Sequence, residues 1–92
     1  MKAIRGFRLR PLGDEYILVG ESIELINFNK MITLNDTAAY LWKQVTEGMD
    51  YSDFDAKTLA ECLTKEYEVS YEQAFNDAQS TIDSWQKAGI IE

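Results

Sequence analysis

The chain has 92 residues, 46% of them apolar and 12% aromatic, enough bulky side chains to fill one small core but too few for two. Its formal charge of −7 opposes a nucleic-acid partner, because affinity for a phosphate backbone rests on Lys and Arg displacing condensed counterions. The charge is uneven: five Lys/Arg stand against four Asp/Glu through Leu34, and four against twelve from Asn35 onward.

Cys62 is alone, so no intramolecular disulfide can form, and a reducing cytosol fits. Residues 1–10 are basic but lack the apolar run of a signal peptide, and no stretch approaches a membrane span. These features predict a cytoplasmic protein with no membrane partner.

Up to Leu34 the pattern is strand-like, over residues 7–12, 16–19, 23–28 and 31–34. Turns are expected at Gly13-Asp14, Gly20-Glu21-Ser22 and Asn29-Lys30. Segments joined by such brief turns must pair antiparallel, since a parallel crossover needs a dozen or more residues. From Asn35 the period changes. Ala38, Leu41, Trp42 and Val45 share one helical face, capped by Asn35 and expected to end at Gly48. After the acidic turn at 50–53, Ala56, Leu59, Ala60, Leu63 and Tyr67 mark a second amphipathic helix.

Ser70 followed by Gln73 has the spacing of a capping box and opens a third helix. The apolar face of that helix is Tyr71, Ala74, Phe75, Ala78, Ile82 and Trp85, and Gly89 is positioned to stop it in the left-handed conformation. Together these elements predict an α+β fold, a small N-terminal antiparallel β-meander followed by three α-helices, in one domain over residues 1–92.

The chain has no histidine, which removes the usual general base, the usual partner of a nucleophilic Ser or Cys, and the commonest metal ligand. The five glycines are scattered at turns with no phosphate-cradling spacing. Asp50 to Glu61 has the span of a calcium loop, but Phe54 and Asp55 stand at its fifth and sixth positions, where an oxygen ligand and glycine are needed. The carboxylates there are expected to serve the start of the second helix instead. Trp42, Trp85 and Cys62 fall on apolar helix faces, so packing is the expected role of each. The residues therefore predict a protein without catalytic machinery, metal or cofactor.

The succession Phe7-Arg8-Leu9-Arg10, Tyr16-Ile17-Leu18-Val19, then Ile32-Thr33-Leu34-Asn35-Asp36-Thr37-Ala38 with Leu41-Trp42, resembles the PqqD family, named for pyrroloquinoline quinone synthesis. Gly48, the helix over 59–67 and the closing 85–91 segment follow the family's order of elements; the link over residues 20–29 is longer than the family's. The resemblance implies a winged-helix-like domain. Such a domain binds the leader of a ribosomally made precursor peptide and presents it to a modifying enzyme, often a radical S-adenosylmethionine protein.

In the family the leader adds as a strand beside the last β-strand and against the third helix, which here are residues 30–34 and 70–88. The resemblance thus implies a peptide site at Lys30, Met31, Ile32 and Thr33 on the strand, and at Phe75, Gln79, Ile82, Asp83 and Gln86 on the helix. Strand addition suits an open sheet edge, where backbone hydrogen bonds supply affinity and alternate side chains supply selectivity. Two other readings stay open on the same residues: a winged-helix DNA-binding regulator, which the charge disfavours, and a scaffold that forms a homodimer through the sheet edge.

Overall fold

The computed structural model describes residues 1–20 and 32–92. The expected strand over 23–28, the turns beyond Gly20, and Lys30 and Met31 of the expected peptide site lie outside the described residues.

The sheet begins as a hairpin. Strand β1 (Phe7–Leu12) pairs antiparallel with β2 (Glu15–Gly20), Leu12 facing Glu15 across a two-residue turn. Gly13 has φ 62 there, at the first central position, which type II′ turns reserve for glycine because a side chain would be strained. Strand β3 (Ile32–Leu34) pairs antiparallel with the other edge of β2, giving the order β1-β2-β3. The register puts Leu9 and Ile32 on either side of Leu18, and Leu34 opposite Tyr16, so one face carries the apolar residues. Leu18 and Leu34 are buried, whereas Thr33, on the other face, is exposed.

Helix α1 (Asp36–Lys43) starts where the period changes: Asn35 stays extended and its Oδ1 accepts from the Ala38 N–H at 2.8 Å. Its end differs from expectation. The chain passes into a π-helical turn, Gln44–Gly48, in which the Met49 N–H donates to the Gln44 carbonyl at 2.7 Å. Gly48 is thus not a left-handed cap. Positive φ falls instead on Asp50 (49°) and Tyr51 (62°), with the Arg5 guanidinium 4.2 Å from the Tyr51 ring centroid.

Helix α2 (Ala56–Glu66) is capped by Asp55, whose Oδ1 accepts from both the N–H and the hydroxyl of Thr58 at 2.8 Å. These bonds hold the Asp55 carboxyl below its usual range. Helix α3 (Tyr71–Ala88) is capped by Ser70, which accepts from the Gln73 N–H at 3.2 Å. Only half of the capping box forms, because the Gln73 carboxamide turns forward to Asp77. At the far end Gly89 has φ 78; its N–H donates to the Gln86 carbonyl at 3.1 Å and that of Ile90 to the Trp85 carbonyl at 3.2 Å. That pair of bonds is a Schellman motif, with Ile90 and Trp85 both buried beside it.

The core lies between the sheet's apolar face and the three helices. Leu18, Leu41, Leu59, Leu63, Ile82 and Trp85 are its largest fully buried members, each Leu or Ile worth about 1.5–3 kcal/mol of burial. Trp85 meets Trp42 and Phe54 edge to face, at centroid distances of 5.3 and 6.1 Å. Two residues of the expected α3 stripe depart from it: Tyr71 and Phe75 are 47% and 39% exposed. Cys62 sits half-buried at the core's margin, and burial pushes its thiol pKa up.

Candidate functional site

A groove of about 440 Å³ runs between β3 and α3. On the strand side it is lined by Ile32, Thr33 and Leu34, continued by Asn35, Thr37 and Ala38 at the start of α1. Asp77, Ser80, Thr81 and Ser84 line the helix side, with Trp85 below them. Among the described residues β3 has a strand on one side only, and no backbone hydrogen bond among them fills its other edge, which borders the groove. Three residues of strand give roughly 10 Å of such an edge.

The helix side is wide because the side chains there are small. Ser80 and Ser84 are one turn apart and exposed, and Thr81 is half-buried, its hydroxyl donating to the Asp77 carbonyl at 2.9 Å. Asp77 is the one charged residue among the described residues lining the groove. Its Oδ1 accepts from Gln73 Nε2 at 2.9 Å. The Asn35 Oδ1 is committed to the α1 cap, which leaves its amide donors for a ligand. Trp85 Nε1 is buried without a hydrogen-bond partner among the described residues, so the groove rests on an indole whose donor none of them meets.

The sequence-derived site meets this groove in part. Ile32 and Thr33 line it. Ile82 does not: at 1% exposure it is a core residue. Phe75, Gln79, Asp83 and Gln86 are exposed but lie off the groove, with Gln79 Nε2 donating to Asp83 Oδ1 at 3.2 Å and Gln86 Nε2 to the Met1 sulfur at 3.8 Å. The residues that do face β3, Asp77, Ser80, Thr81 and Ser84, were not singled out from sequence. The signal that marks them is size, since small hydroxyl side chains on one flank of a helix leave room for an approaching strand.

A second hollow, about 380 Å³, lies on the other side of α1 between Tyr16, Tyr40 and Tyr67, with Asp36 and Lys43 at its rim. The Lys43 ammonium is 5.6 Å from the Tyr16 ring centroid. Tyr40 is held in place by donating to the Cys62 carbonyl at 3.2 Å and by an edge-to-face contact with Tyr67. Among the described residues no group of three or more His, Cys, Asp or Glu clusters as a metal site, and no helix is long and apolar enough to cross a membrane.

Comparison with known proteins agrees with this architecture. No curated protein matches the chain. Among solved structures it is similar to "TbiB1 in Complex with the TbiA(beta) Leader Peptide", at 15% identity and a TM-score of 0.73, over 100% of this chain and 95% of that one. The likeness shows a shared fold, the α+β arrangement of a three-stranded antiparallel sheet and three helices. A family model, Coenzyme PQQ synthesis protein D (PqqD), matches residues 15–91, a span that runs from the start of β2 through α3 and takes in both walls of the groove. The chain belongs to the PqqD family.

Proposed function

We propose that this protein is a non-catalytic peptide-binding module that takes the leader of a ribosomally made precursor peptide as an added strand on the edge of β3, against α3. In that role it presents the peptide to a modifying enzyme of the radical S-adenosylmethionine type, in the cytoplasm where such peptides are made. One observation carries the reading: the edge of β3 away from β2, unpaired among the described residues, borders a groove of about 440 Å³ whose far wall is a helix with small side chains. Membership of the PqqD family and a like-folded protein captured with a leader peptide support it.

The contacts follow from this geometry. Ile32 and Thr33 flank the peptide on the strand side, and Asp77, Ser80, Thr81 and Ser84 face it from the helix. Ordering a flexible leader costs roughly 2–5 kcal/mol, which backbone bonds along β3 and side chains seated in the groove must offset. Chemistry is left to the partner enzyme, in keeping with a chain that has no histidine.

The test is a backbone amide titration with synthetic peptides covering the leaders of short open reading frames beside this gene. Saturable shifts at 32–34 and at Asp77, Ser80, Thr81 and Ser84, abolished by Ser84→Trp, are expected. Shifts confined to the Phe75–Gln79–Gln86 flank would overturn the groove as the site. A tight dimer in light scattering that no peptide perturbs would favour the scaffold instead, and retardation of DNA in a low-salt gel shift would favour the regulator.

A further inference from the structure

Among the described residues that line the groove, Asp77 is the only Asp, Glu, Lys or Arg, and among the described residues it has no ion-pair partner. Lys87, the one cation of α3, stands ten residues further on, roughly 15 Å along the axis, too far to neutralise it. The carboxylate is also held in position: Gln73, one turn earlier, donates to Oδ1 at 2.9 Å, and no hydrogen bond among the described residues occupies Oδ2. A carboxylate fixed by one bond and open at its second oxygen is prepared for a cationic donor, because little rotamer freedom remains to be lost.

From this arrangement we propose that Asp77 selects a Lys or Arg at one position of the bound peptide. The inference rests on the peptide-binding reading and adds what that peptide carries. An extended strand beside β3 turns alternate side chains toward α3, so a single residue of the segment comes opposite Asp77. A Lys or Arg there gains a charge-assisted hydrogen bond. An Asp or Glu there meets like charge in a protein that already carries −7, so the same residue attracts one class of peptide and rejects the other.

The experiment is selection of a random 12-residue peptide display library on the wild-type protein, Asp77→Asn, Asp77→Lys and Ser84→Trp, each verified as folded by circular dichroism. Wild type is expected to enrich Lys or Arg at one fixed position. Asp77→Asn loses that enrichment and Asp77→Lys replaces it with Asp or Glu, while the apolar positions of the motif persist. For a synthetic wild-type winner, Asp77→Asn weakens binding roughly two- to tenfold, and less in 0.5 M salt. Unchanged basic enrichment in Asp77→Asn, or none in wild type, with Ser84→Trp selecting nothing, overturns the role of Asp77 and leaves the groove standing. Identical winners on Ser84→Trp and wild type, or none on either, overturn the groove and this inference with it.

Discussion

The indoles of Trp42 and Trp85 stand edge to face, with centroids 5.3 Å apart and planes at 87°. Trp42 belongs to α1, which follows the strand bearing the groove, and Trp85 to α3, which forms its far wall, so this contact ties the two together. Because Trp85 also lines the groove, as Leu34 does, the hydrophobic core and the candidate site share these two side chains.

Trp85 should therefore report on both stability and binding. Trp85→Ala is expected to cost about 3–5 kcal/mol in urea unfolding. Trp85→Phe should cost clearly less, because it removes the buried Nε1 that has no acceptor as well as part of the ring. In Trp42→Phe the remaining indole should show a blue-shifted emission that changes when peptide fills the groove. Emission that stays constant under saturating peptide would separate Trp85 from the binding event.

Two apolar residues that the spacing puts on the same face of α3 should behave differently from one another. Ile82→Ala is expected to destabilise by about 2–5 kcal/mol, as a fully buried aliphatic truncation does. Phe75→Ala, at a site 39% exposed, should cost about 1 kcal/mol or less and leave peptide affinity within twofold. A large loss of peptide affinity in folded Phe75→Ala would move the site to the other flank of the helix.

Gly89 tests the end of α3. A Cβ there would touch nothing within 4 Å, so Gly89→Ala isolates the cost of the left-handed backbone at φ 78. The expected loss is about 1–2 kcal/mol in chemical denaturation. A neutral result would mean that the Schellman turn opens without consequence for Ile90.

The Tyr40–Cys62 contact predicts alkaline sensitivity. Burial raises the Tyr40 pKa, with the charges of Cys62, Glu66 and Tyr67 adding to it, and burial likewise raises that of Cys62 despite Lys65. For groups that are neutral when protonated, raised folded values mean stability that is fully present below the unfolded values of 10.0 and 9.0 and is lost as pH rises through the folded ones. Thermal midpoints should fall above about pH 9, and less so in Tyr40→Phe, which lacks the hydroxyl donating to the Cys62 carbonyl. Modification of Cys62 by a disulfide reagent at pH 8 should be slower than that of a free thiol; an equal or faster rate would contradict the buried thiol.

Much of the fold was legible because it depends on local chemistry. Asn35 and Ser70 cap helices through their own side chains, and Gly13 and Gly89 take positive φ that other residues avoid. The antiparallel pairing of β1 with β2 follows from a two-residue turn too short for anything else. Where the end of α1 depended on packing, local reading failed: Gly48 marked the stop, yet the chain crosses it in a π-helical turn and reverses at Asp50 and Tyr51.

The candidate site divides in the same way. Periodicity determined the buried stripe of α3, Ala74, Ala78, Ile82 and Trp85, since a spacing of 3.6 residues per turn is set by the backbone alone. It could not determine which polar flank beside that stripe looks at β3. Asp77, Ser80, Thr81 and Ser84 lie about a quarter-turn to one side of the stripe, and Phe75, Gln79 and Gln86 about as far to the other. Phe75 apart, both flanks read alike as exposed helix, because hydrophobic burial has no handedness. Only the tertiary structure decided between them, by packing the sheet against one side of the bundle and so giving the edge of β3 a single flank of α3 to face.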